Sequence, residues 1–157
     1  MANTPATFDA YPYNAPVSFH FRVKIYGYDS DSNDLRFQDV GGLTAEINIE
    51  ELVSGGENTV SYRLPTRVKY GNLVLKRGML KDSKLIEWFR NAIEEFEFAP
   101  ANVEVSLLNE NNQAVTHWIF TQAYPVKWVI ADFSATGNTL VVETIELAYQ
   151  YFQRKTS

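Results

Sequence analysis

From Ser18 the chain alternates strictly, with Phe19, Phe21, Val23 and Ile25 pointing one way and His20, Arg22, Lys24 and Tyr26 the other. A period of two is the signature of a strand with one wet face. Gly27 ends it, and Asp29 to Asp34 is a polar loop without periodicity. After Gly41-Gly42, a pair that suggests a bulge or bend, a second run sets Leu43, Ala45, Ile47 and Ile49 against Thr44, Glu46, Asn48 and Glu50. Ser54-Gly55-Gly56-Glu57-Asn58 is the strongest turn signal in the chain. Val68 to Lys76 reads as a further strand, in which Val68, Tyr70, Asn72, Val74 and Lys76 oppose Lys69, Gly71, Leu73, Leu75 and Arg77.

One segment changes period. Behind the N-cap candidates Asp82 and Ser83, apolar residues recur at Leu85, Phe89, Ala92, Ile93 and Phe96, with Glu87, Asn91, Glu94 and Glu95 on the opposite face. That spacing predicts an amphipathic helix from Ser83 to Phe96, stopped by Pro100. Val103, Val105 and Leu107 then alternate into a turn at Asn109 to Gln113, and Val115 to Tyr124 returns as the second arm of a hairpin before Pro125 interrupts it. Thr139 to Phe152 fits helical spacing as well, but the β-branched Val141, Val142, Thr144 and Ile145 favour a strand. The sum is about six or seven strands and one helix, a mainly β chain that forms a barrel or a sandwich with a single covering helix.

Met1 to Val17 interleaves Pro5, Pro12 and Pro16 with Phe8, Tyr11 and Tyr13, which predicts an extended arm ahead of a domain spanning residues 18–157. The arm lacks Lys, Arg and a continuous apolar run, so it is not an ordinary secretory signal. The longest stretch free of charged residues, Asn111 to Val126, carries Asn, Gln, Thr, His and Pro and is too polar to cross a bilayer. Fourteen Lys and Arg against nineteen Asp and Glu give a net charge of −5, the wrong sign for gripping nucleic-acid phosphates. With no cysteine, thiol nucleophiles, thiolate metal sites and disulfides are excluded.

Candidate chemistry is sparse. His20 and His117 lie in alternating runs without metal-ligand spacing around them. Glu46 and Glu50 share a strand face but stand roughly 13 Å apart at strand rise, too far for paired glycosidase carboxylates. Gly41-Gly42 and Gly55-Gly56 lack the lysine and following helix of a phosphate loop. Trp88, Trp118 and Trp128 read as core or interface rather than as a ligand pocket. No catalytic, cofactor or metal site is expected, and the residues alone leave a monomeric small-ligand-binding β-barrel as an alternative to a structural subunit.

Taken together, Phe19-His20-Phe21-Arg22-Val23, Arg36 to Leu43, Gly55-Gly56-Glu57-Asn58, Arg63-Leu64-Pro65, Lys69 to Leu73 and Leu75 to Gly78 resemble the inner tail-tube proteins of contractile injection systems. Leu107-Leu108-Asn109, Trp118, Ala123 to Trp128 and Glu143 to Ala148 continue the resemblance in the same order. It implies a small antiparallel β-barrel with one flanking helix, the final run as a strand, and hexameric rings stacked into a hollow tube inside a contractile sheath. The partners implied are further copies of the chain, sheath subunits, spike or baseplate hub proteins and effector cargo. The implied setting is the bacterial cytoplasm as site of synthesis and a phage-tail-like particle as destination. Thr66, where many tube proteins carry glycine, and the long arm are compatible with a specialised initiating ring beside the spike hub.

Three groups of contacts are expected within that frame. Ser54, Gly55, Gly56, Glu57 and Asn58 tip a hairpin that reaches a neighbouring subunit or ring, and Phe8, Tyr11 and Tyr13 of the arm pack on the outside or across a subunit boundary. Glu87, Asn91, Glu94 and Glu95 face the sheath. Arg22, Lys24, Glu46, Asn48 and Glu50 line the lumen, on the premise that the alternate residues of their strands are core.

Overall fold

The structure is a computed structural model that describes residues 20–28, 36–53, 55–56, 61–78, 84–131 and 141–156. The described residues form ten strands and one helix: β1 (His20–Ile25), β2 (Arg36–Phe37), β3 (Asp39–Gly41), β4 (Ala45–Val53), β5 (Ser61–Tyr70), β6 (Leu73–Gly78), α1 (Lys84–Glu94), β7 (Ala101–Leu108), β8 (Ala114–Ile130), β9 (Val142–Ala148) and β10 (Tyr151–Thr156). All ladders among them are antiparallel.

The main sheet has eight strands in the order β2-β1-β7-β8-β9-β6-β3, with β10 paired to β8. Its two end strands are consecutive pieces of one segment, split only at Gln38, whose N–H donates to the Lys76 carbonyl at 2.9 Å. The expected barrel is therefore a curled sheet whose ends are tied by the chain itself rather than by a ladder between β2 and β3. Val23, Leu73, Leu75, Val103, Val105, Phe120, Ile145 and Leu147 fill its interior. The helix covers it with Leu85, Trp88 and Phe89, and the Trp88 indole N–H donates to the Ala99 carbonyl at 2.9 Å, the polar partner a buried tryptophan needs.

Several expectations change in detail. The Val68–Lys76 run is two strands, because Gly71 and Asn72 break it between β5 and β6. Pro125 does not end its strand: β8 runs seventeen residues, and a bulge between Pro125 and Lys127 absorbs the irregularity. The final run is strand, as expected, but divides at Tyr149 and Gln150, where the Gln150 N–H turns to the Thr121 carbonyl at 3.0 Å. These breaks and the two-residue β2 raise the strand count above the six or seven anticipated. The helix ends at Glu94, and Ile93 and Phe96, expected inward, are exposed. Asp82 and Ser83 lie outside the described residues.

Candidate functional site

β4 and β5 form a sheet of their own, with no third strand on either edge among the described residues. Every described residue of this ribbon except Tyr70 is exposed. The premise that Ile47 and Ile49 are core is thus overturned: they are 56% and 52% exposed, because the ribbon stands off the main sheet and no described layer lies beneath it. Register defines its faces. One carries the pairs Ala45–Tyr70, Ile47–Val68, Ile49–Pro65 and Glu51–Arg63, and the other carries Glu46–Lys69, Glu50–Leu64 and Leu52–Tyr62. Apolar character therefore lies on the first face near the base and shifts to the second toward the tip. A bulge between Ile47 and Ile49 twists the ribbon at that shift, and the Thr66 hydroxyl donates there to the Asn48 carbonyl at 3.0 Å.

The ribbon's root is sterically fixed. Gly42 takes a left-handed φ of 77°, and a Cβ there would run into the Asn72 carbonyl oxygen; one at Gly71 would meet the Thr44 hydroxyl. The Gly41-Gly42 bend is thus a close approach of two chain segments that only a missing side chain permits. Behind it Tyr70 rests on Tyr149 and Phe152, with ring centroids 5.9 and 5.6 Å away. Burial, then the nearby Tyr70, pushes the Tyr149 hydroxyl up to about 12.

At the ribbon's other end Gly55 and Gly56 form an exposed turn, and a Cβ at either would have nothing within 4 Å of it, which fits the expected hairpin tip. Ser54, Glu57, Asn58 and the arm residues Phe8, Tyr11 and Tyr13 lie outside the described residues.

Of the other predicted positions, Arg22 and Lys24 occupy the exposed face of β1, and here the alternate residues Val23 and Ile25 are core as expected. The structure sets them on the main sheet, apart from Glu46, Asn48 and Glu50 on the ribbon. Lys24 lies over the Tyr26 ring at 5.1 Å and stands opposite Glu104. The Tyr26 hydroxyl donates to Glu104 at 2.6 Å; it holds that carboxyl below the usual range, while the same bond, with some burial, raises Tyr26. Glu87, Asn91, Glu94 and Glu95 are all exposed, and Glu94 pairs with Arg90 at 3.2 Å.

Two constellations escape the sequence reading. Phe96, Phe98 and Tyr124 stack edge-on in the open, with centroids 5.0 and 5.9 Å apart and Phe96 81% exposed. Phe96 holds a left-handed φ of 54°, where glycine is usual past a helix end, a conformation that costs a residue with a side chain roughly 1–2 kcal/mol. The second is internal: Arg77 Nε meets Glu143 Oε2 at 2.9 Å, the Trp128 indole donates to Glu143 Oε1 at 2.7 Å, and Arg77 lies over the Phe37 ring at 5.4 Å. Its only trace in the sequence is that Arg77 continues the Leu73, Leu75 alternation.

No group of three or more His, Cys, Asp or Glu residues is positioned for a metal ion among the described residues. No described helix is long and apolar enough to cross a membrane. A curled antiparallel sheet with a filled interior, one covering helix and a protruding ribbon is the fold of tail-tube and Hcp proteins, the class seen in contractile injection systems. The chain belongs to the family described as T4-like virus tail tube protein gp19, which matches residues 17–153.

Solved structures agree. A chain of the anti-feeding prophage baseplate, a six-fold symmetrised cryo-EM structure, is 30% identical over 99% of this chain and 98% of its own, with a TM-score of 0.75. A chain of the PVC extracellular contractile injection system, from its sheath-tube complex in the extended state, is 22% identical over 99% and 100%, at 0.72. Hcp1 from Flavobacterium johnsoniae is 15% identical over 88% and 96%, at 0.52. No curated protein matches significantly.

Proposed function

We propose that six copies of this chain close into a ring, that rings stack into the hollow inner tube of a contractile injection system, and that effector cargo travels through it. The β4–β5 ribbon carries this reading. An isolated two-stranded ribbon is marginal in water, and contiguous exposed apolar surface marks an interface. The six-fold symmetry of the baseplate structure that holds a similar chain supports the number of copies.

Within this arrangement Arg22 and Lys24, with Val23 and Ile25 buried behind them, face the lumen. Glu46, Asn48 and Glu50 of the ribbon, whose alternate residues are exposed as well, join them on the ground of charge alone, a mixed-sign lining that avoids trapping charged cargo. Glu87, Asn91, Glu94 and Glu95 meet the sheath electrostatically, and Phe8, Tyr11 and Tyr13 bridge subunits. The role is structural, without catalysis. Identity of 30% to a baseplate chain against 22% to one from a sheath-tube complex favours a ring next to the baseplate and spike hub.

Negative-stain electron microscopy of the purified protein over a concentration series tests the reading. Rings with an axial hole are expected, and rings that do not extend into tubes without a second protein would identify an initiating ring. A particle that stays monomeric at every concentration would overturn the tube role in favour of a small-ligand-binding barrel.

A further inference from the structure

We infer that the Phe96–Phe98–Tyr124 cluster is the receptor into which a second copy of this chain lays the apolar face of its β4–β5 ribbon. The inference rests on the tube reading and adds to it the surface that receives the ribbon.

The two surfaces fit in chemistry. The ribbon offers Ile47, Ile49, Pro65 and Val68 on one face of a twisted two-stranded sheet, all exposed. The cluster offers three rings already locked edge to edge, so little side-chain freedom is lost when they are covered. Charge also matches: the exposed Glu97 follows Phe96, while β5 carries the exposed Arg67 and Lys69 beside the apolar positions. Arg63 is already paired with Glu51 at 3.7 Å.

The backbone supplies an independent observation. The chain leaves the helix with Glu95 and Glu97 N–H groups both turned onto the Asn91 carbonyl, at 3.2 and 3.0 Å. Between them Phe96 takes the left-handed conformation and projects its ring into water. Glycine would fill that position without strain and asparagine with less, so the helix end by itself does not call for a phenylalanine there. A ring held there is accounted for when a partner covers it. The neighbouring helix face differs in kind: Glu87, Asn91 and Glu94 are polar and suit a contact that must release, whereas a desolvated aromatic contact suits one that is permanent.

The absence of cysteine permits a direct test by site-specific cross-linking. Ala45→Cys, on the ribbon's apolar face, and Ala99→Cys, beside Phe98, both at exposed positions, are made in separate chains, mixed, and treated with a short bis-maleimide, with wild-type assembly followed by electron microscopy in parallel. The expected result is a covalent pair that forms on mixing and is absent from either variant alone. Phe96→Asn, which removes the ring while keeping the backbone conformation, should leave a folded monomer and raise the concentration for half-assembly by about tenfold or more. Wild-type rings without the mixed cross-link, or Phe96→Asn rings at unchanged concentration, would overturn the docking and leave the tube role standing. A wild-type chain that never assembles would overturn both.

Discussion

Arg77 and Glu143 face each other across β6 and β9, both 1% exposed, with Nε and Oε2 2.9 Å apart. The pair sits where Phe37 and Trp128 also converge, so the guanidinium and carboxylate tie the segment joining the sheet's two ends to the strands on the far side. Removing one partner leaves the other charged and buried. Arg77→Met alone should lower unfolding free energy by about 3–5 kcal/mol. Arg77→Met with Glu143→Leu should recover much of that loss. Urea denaturation of the monomer checks both, and a double variant as unstable as the single would show that packing, not charge, dominates there.

The bond from Tyr26 to Glu104 makes stability depend on pH at both ends. Glu104 is held below its ordinary value, so its contribution is complete above the unfolded carboxyl pKa and is lost as pH falls through the lower folded value. Tyr26 is raised, so its contribution is complete below the unfolded phenol pKa and is lost as pH rises through the higher folded value. Tyr26→Phe should therefore flatten the stability profile in both the acid and the alkaline limb and change it in between by a single near-constant offset. Thermal melts across pH would show this.

Gly42→Ala should destabilise the root of the ribbon. A methyl group there meets the Asn72 carbonyl and is held at a φ of 77°, and such strain costs roughly 1–3 kcal/mol. Gly41→Ala, with only Val74 at 4.0 Å, should be near neutral. Comparing the two melting temperatures separates a steric requirement from a general dislike of substitution.

Gly55→Val with Gly56→Val probes the tip. Both positions have open space around them and neither takes a left-handed φ, so the monomer should fold with unchanged stability. Loss of ring or tube assembly is the expected outcome. Normal tubes from this variant would show that the tip makes no close backbone contact with a neighbour.

Charge reversal on the helix, Glu87→Lys with Glu94→Lys, should leave tube formation intact and weaken sheath assembly around the tube, more so at low salt. Co-assembly with sheath protein measures it. An unchanged sheath would place the docking surface elsewhere.

The sequence by itself determined β1, β7 and the helix, because Val23, Ile25, Val103, Val105, Leu85 and Phe89 sit at periods that only one local conformation can bury. It also determined the bend at Gly42, since the need for a missing side chain is written in the residue type. What it did not determine was whether an alternating run had anything to pack against. Ile47 and Ile49 alternate as cleanly as Val23 and Ile25, yet only the latter pair are covered, because β1 lies in the curled sheet and β4, among the described residues, pairs with β5 alone. The inward turn of Arg77 onto Glu143 and the gathering of Phe96, Phe98 and Tyr124 were likewise decided by tertiary structure. Each joins residues from strands or segments far apart in the chain, and periodicity carries information only about neighbours within one element.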